Sequence, residues 1–187
     1  MPRERLYAGI DEVNNGISPL IHVVVFSNSP SHIAKRRSLG KLESRGQHSI
    51  EQIVGDLDFR YTLLPREDVG RLTHNQSRII SIAALLEESD YQDGRLVKAV
   101  MDGKLPDYVI QQVKKILPSN WEFELIGVPH GDEFINLVFR ADQIASVLRE
   151  QYLDPKGNKI DIRKYIDKRV FLDLNAPKYS KLLRLKR

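Results

Sequence analysis

The residues Leu6-Tyr7-Ala8-Gly9-Ile10-Asp11-Glu12-Val13-Asn14-Asn15-Gly16 form a short apolar run that ends in two adjacent carboxylates and then turns. Neighbouring side chains in a strand point to opposite faces. Asp11 and Glu12 can therefore share one site only where the pleat gives way to the turn at Asn14, Asn15 and Gly16. The run is expected to be a first strand whose polar end faces a cleft at the edge of a sheet. The next run, Pro19-Leu20-Ile21-His22-Val23-Val24-Val25-Phe26, is β-branched and reads as a second strand buried on both faces. The short connection between the two predicts an antiparallel pair.

Further along, residues 27–49 are rich in Ser, Pro, Gly and basic side chains, including Lys35-Arg36-Arg37 and Lys41, and read as a long loop. Its charges read as a solvated surface ahead of a phosphate contact. Ser49 caps a brief helix to Val54, and Phe59-Arg60-Tyr61-Thr62-Leu63-Leu64 alternates as a third strand closed by Pro65. An amphipathic stretch over 66–88 follows, its apolar stripe including Val69, Leu72, Ile79, Ile80, Ile82, Ala83, Leu85 and Leu86, with breaks expected at Gly70 and Thr73-His74-Asn75. The remainder reads as a strand at 96–101 ending in Asp102-Gly103, a helix at 106–117 opened by Pro106, a strand at 121–128 and a helix at 134–151. Three strands in a meander, then strands delivered by helical crossovers, predict an α/β fold. Its mixed five-stranded sheet has three antiparallel strands followed by two parallel ones, and helices flank it.

The 187 residues suffice for one full core. We expect a domain over 1–152 and a basic C-terminal extension over 153–187 packed on or near it. With no cysteine, disulfides and thiolate metal sites are excluded. No apolar run approaches the ~20 residues that span a bilayer, and the N-terminal residues lack the apolar core of a signal peptide, so a cytoplasmic protein without membrane attachment is expected. A net charge of +4 and a pI of about 9.2 are compatible with a polyanionic partner. Nothing in the sequence implies an obligate protein partner.

Asp102 follows the fourth predicted strand and Asp132 the fifth, as Asp11 and Glu12 end the first. Parallel strands deliver their ends to one side of a sheet, where ligands bind. Four carboxylates gathered there would repel one another, and a divalent cation is the usual resolution. Oxygen ligands without Cys or His at metal spacing favour Mg²⁺ or Mn²⁺ over zinc.

Three stretches in order, Gly9 to Gly16, Val97 to Gly103 and Gly131-Asp132, resemble motifs of the ribonuclease HII family. The family's first motif is Gly, Ile or Val, Asp, Glu, any residue, Gly, Arg, Gly, and Gly9 to Gly16 retain its acidic pair and final glycine. Val97 to Gly103 resemble the family's apolar strand ending in Asp-Gly, with Leu105-Pro106 following. Gly131-Asp132 resemble its Lys-Gly/Ala-Asp, after which Val138, Ala141, Ile144, Ala145, Val147 and Arg149 keep the family's helical pattern without a gap. The similarity spans roughly residues 6 to 150. It implies a ribonuclease H-like fold whose metal-binding catalytic acids are Asp11, Glu12, Asp102 and Asp132. It also implies a two-metal hydrolysis of the RNA strand of RNA–DNA hybrids, leaving 5′-phosphate and 3′-hydroxyl ends. On this resemblance the substrate-binding candidates are Asn14, Asn15, Gly16, Lys41, His130 and Arg149. The departures fall on the substrate-contacting side. Asn14 and Asn15 replace the Gly and Arg that read the ribose 2′-hydroxyl, His130 replaces a Lys, Asp142 a Ser or Thr, and Ser146 a second Lys. Each loses a phosphate-binding group or adds an acid. The alternative is accordingly a non-catalytic or substrate-altered nucleic-acid-binding protein on the same fold. Asp142 can point to the site or pack against a basic neighbour, and His22 reads as a satisfied core histidine.

Overall fold

The computed structural model describes residues 4–13, 19–36, 49–87, 95–153 and 162–184. Strands β1 (Arg5–Val13), β2 (Leu20–Ser27) and β3 (Asp58–Leu64) form the antiparallel meander, with Glu12 opposite His22 and His22 opposite Thr62. Strand β4 (Arg95–Asp102) joins β1 in parallel and β5 (Glu124–Val128) joins β4 in parallel. The mixed sheet expected from the sequence is present, with one strand more. β6 (Arg169–Val170) pairs with β3, giving the order β5-β4-β1-β2-β3-β6. A two-residue strand is too short to carry an alternation, so no periodicity could announce it.

One face of the sheet is covered by α3 (His74–Glu87), with α4 (Asp107–Ile116) and the short α7 (Ser180–Arg184) packed beside it. Every residue from Ile79 to Leu86 is buried, because α3 has the sheet on one side and other helices around the rest. The amphipathic stretch breaks at the expected place, between α2 (Arg66–Val69) and α3. Thr73 and Gln76 make the division. The Gln76 amide donates to Thr73 Oγ1, and the Thr73 amide donates to Gln76 Oε1, a reciprocal cap that fixes where α3 starts. The same device, Ser49 with Gln52, opens α1 (Ile50–Val54).

The opposite face is covered by α6 (Asn136–Leu153), which follows α5 (Gly131–Phe134). Gly9 sets how near α6 can lie, since a Cβ on it would stand 2.4 Å from the carbonyl carbon and the Cβ of Leu137. Residues 162–184 return over the molecule, adding β6 and burying Tyr165 on the α6 side and Tyr179 on the α3 side. Among the described residues no helix is long and apolar enough to cross a membrane.

Candidate active site

Asp11 and Asp102 are brought together by the parallel pairing of β1 and β4. Ile10 lies opposite Met101, so the next position on each strand is a carboxylate, and neighbouring strands are ~4.8 Å apart. Both point to the α6 side, and an irregularity in β4 makes this so. Leu6 pairs with Leu96 but Tyr7 with Lys98, so Val97 is an extra residue. Were Val97 paired with Tyr7 in an unbroken ladder, Asp102 would fall opposite Glu12 and face α3, because one residue of register exchanges the faces.

Asp132 enters from α5, past the end of β5, half-buried. The Gly131 amide, next to it in the chain, donates to Asp102 Oδ1 at 2.6 Å and fixes that carboxylate. Asp142, on α6, completes the charge environment. Asp11 is buried and accepts from the Glu12 amide through Oδ1 at 2.7 Å. Its carboxyl is pushed up to about 9, first by burial, then by the charge of Asp142, with Asp102 and Asp132 adding to it. Burial, followed by the Asp102 charge, also raises Asp132.

Glu12 is placed elsewhere. The strand does not give way after Asp11 as the sequence suggested; it continues to Val13, so the pleat sends Glu12 to the α3 face. There Arg78 Nε donates to both its oxygens, at 3.0 and 3.1 Å, while His22 Nε2 lies 3.0 Å and His74 Nε2 3.3 Å away. Burial alone would raise the Glu12 carboxyl, but His22 and Arg78 override it and hold it at about 2. Arg78 and His74 were not singled out for the site from the sequence. The available signal was a single Arg at the head of the apolar run 79–86, a charge that burial obliges to find a partner.

His130 sits just before α5 in the left-handed region at φ 55°, with an exposed side chain 3.7 Å from Glu133. Arg149 lies two turns beyond Asp142 on α6, with its Nε buried and without a hydrogen-bond partner. Asn14, Asn15, Gly16 and Lys41 lie outside the described residues.

No family model and no curated protein matches the chain. Solved structures do. Ribonuclease H2 from Pyrococcus horikoshii OT3 aligns over 95% of this chain and 84% of its own, with a TM-score of 0.61 at 15% identity. A chain of the PCNA:RNase HII complex from Archaeoglobus fulgidus aligns over 96% and 87%, with a TM-score of 0.56 at 20% identity. This chain has a ribonuclease H-like fold. On the ribonuclease H-like fold, Asp11 and Asp102 stand at the carboxyl ends of adjacent parallel strands, the side where open α/β sheets bind ligands.

The donor chemistry fits a hard divalent cation. A buried carboxyl flanked by three further carboxyls, all oxygen donors, loses its proton readily only against an added positive charge. As placed, among the described residues, no three His, Asp or Glu side chains stand close enough to share one ion.

Proposed function

We propose that this chain is a divalent-metal-dependent nuclease that hydrolyses the RNA strand of RNA–DNA hybrids, leaving 5′-phosphate and 3′-hydroxyl ends. The observation that carries this reading is the placement of Asp11 and Asp102 one position beyond the paired Ile10 and Met101 of β1 and β4, beside Asp132, on a ribonuclease H-like fold. Asp11, Asp102 and Asp132 would hold Mg²⁺ or Mn²⁺, which when bound supplies an activated water and a counter-charge for the leaving oxygen. The protein's own contribution is placement. Gly131 N–H orients Asp102, the Glu12 amide orients Asp11, and the packing of α6 on Gly9 keeps bulk water from the inner side of Asp11. A basic protein of this kind would hold a polyanionic substrate through its backbone charge and shape.

A second reading, a nucleic-acid-binding protein without hydrolysis, is favoured by one observation: Glu12 is engaged by Arg78 and does not join the other acids. Incubating the protein with hybrid, single-ribonucleotide duplex, DNA and RNA, in Mg²⁺ or Mn²⁺, separates the two. Metal-dependent cutting of hybrid that Asp11→Asn abolishes supports the nuclease. Binding of hybrid with no cutting in either metal supports the alternative. Because Asn14 and Asn15 replace a Gly and an Arg, cutting at a single embedded ribonucleotide should be weak, and Asn14→Gly with Asn15→Arg should raise it.

A further inference from the structure

Glu12 follows Asp11 in the chain yet serves a different neighbourhood. Its carboxylate is 12% exposed and is enclosed by one guanidinium and two imidazoles. Arg78 grips it with Nε and Nη2, the latter 2.5 Å from Oε1, which fills the acceptor directions a cation would need. On the core side His22 and its cross-strand neighbour Thr62 are fully buried, so water does not reach the cluster from there.

The same guanidinium reaches one element further. Arg78 Nη1 donates to the Lys104 carbonyl at 3.3 Å, in the turn that leaves β4 immediately after Asp102. That turn is already tight. Gly103 has φ 79° and donates to the Val128 carbonyl, and a Cβ on Gly127 would stand 2.5 Å from the Gly103 carbonyl oxygen. The carboxylate at the end of β1 therefore holds, through one arginine, the peptide that fixes where Asp102 stands.

We propose that Glu12 is a positioning residue rather than a cation ligand, acting through Arg78 to hold the turn after β4 and with it Asp102. This rests on the reading of Asp11, Asp102 and Asp132 as a metal site. Gln at position 12 still accepts from Arg78, whereas Ala does not, so the conservative variant should rescue what the truncation loses.

The test is Mn²⁺ affinity by calorimetry, with metal-free melting temperature alongside, for the wild type and for Asp11→Asn, Glu12→Gln, Glu12→Ala, Arg78→Met and the Glu12→Gln/Arg78→Met pair. Loss of a residue that orients a metal ligand costs affinity about tenfold. Arg78→Met and Glu12→Ala should each weaken Mn²⁺ binding by about that factor, while Glu12→Gln stays close to the wild type. Equal losses in Glu12→Gln and Asp11→Asn would overturn the proposal, as would tighter binding in Arg78→Met, which would mean that a freed Glu12 had joined the ion. If the wild type binds no Mn²⁺, the metal-site reading itself fails. The melting temperatures then decide what Glu12 and Arg78 do. A double variant that recovers part of the Arg78→Met loss supports the coupling, and losses that simply add refute it.

Discussion

Asp11 and Glu12 are adjacent carboxylates with opposite titration behaviour, and the difference lies in what each faces. Asp11 is buried among acids. Below its ordinary value of 3.8 it is protonated in both folded and unfolded chains and costs nothing. Between 3.8 and about 9 the unfolded chain ionises while the folded one keeps its proton, so stability falls as pH rises, by at most ~1.4 kcal/mol per pH unit. Asp11→Asn removes that dependence. Its metal-free melting temperature should exceed that of the wild type at pH 7 and above, and the two curves should meet near pH 4. A variant less stable than the wild type at pH 8 would contradict this. Glu12 runs the other way, since its carboxyl is held at about 2. Its stabilising contribution is present above 4.5 and is lost as pH falls towards 2. In Glu12→Gln, acid unfolding between pH 4.5 and 2 should lose part of its steepness, as measured by circular dichroism.

At the level of elements, the contact between β1 and α6 decides how the acidic group is enclosed. Gly9 carries it, because Leu137 lies against the bare strand backbone. Gly9→Ala has no room unless α6 moves outward, and forced overpacking of this kind costs about 3 kcal/mol. Denaturant unfolding should show that loss. Mn²⁺ affinity should fall with it, since α5, which carries Asp132, leads directly into the displaced helix. The irregularity at Val97 is the other element-level decision. It leaves Lys98 paired to Glu124 at 2.8 Å and returns Ala99 to the α3 side, and it aligns Asp102 with Asp11 rather than with Glu12. Inserting one Ala after Met101 should carry Asp102 opposite Glu12, on the α3 face, and remove Mn²⁺ binding even where the sheet still forms. Retained binding in a folded insertion variant would show that the register has no part in the site.

Across the whole molecule, residues 162–184 contribute side chains to the cores on both faces of the sheet. Tyr165 packs at a tilt against Phe59, with ring centres 5.9 Å apart, and its hydroxyl donates to Glu51 at 2.6 Å. On the other face Leu182 accepts a hydrogen bond from Gln76 Nε2 at 2.9 Å, and Tyr179 is almost completely buried. Tyr179→Ala should therefore cost about 4 kcal/mol, the usual range for a large aromatic in a core. It should lower the melting temperature of the whole chain in a single transition. Separate melting of a C-terminal unit would count against that. The excess of positive charge acts at this scale as well. Affinity for an RNA–DNA hybrid should fall steeply as salt rises, because bound phosphates release their counterions.

Local patterns were enough for the first five strands and the helices that flank them. The alternation of 59–64, the β-branched run 20–26 and the apolar stripe of 79–86 each impose their own period, and the caps at Ser49 and Thr73 mark where helices begin. The acids at the ends of β1 and β4 were legible for the same reason, since a polar residue closing an apolar strand has to face outward at its end. Three matters were beyond any local reading. Whether Asp11 and Glu12 share a face depends on how many residues β1 keeps in its ladder, and pairing with Ile21 and His22 of β2 extends it to Val13. Whether Asp102 meets Asp11 depends on a one-residue shift in register, which only the pairing of two strands some ninety residues apart defines. That Arg78 would answer Glu12 depends on α3 crossing the end of β1, a packing contact between residues 66 positions apart. Register and packing are relations between segments, so the sequence named the charged groups while tertiary structure alone decided which of them meet.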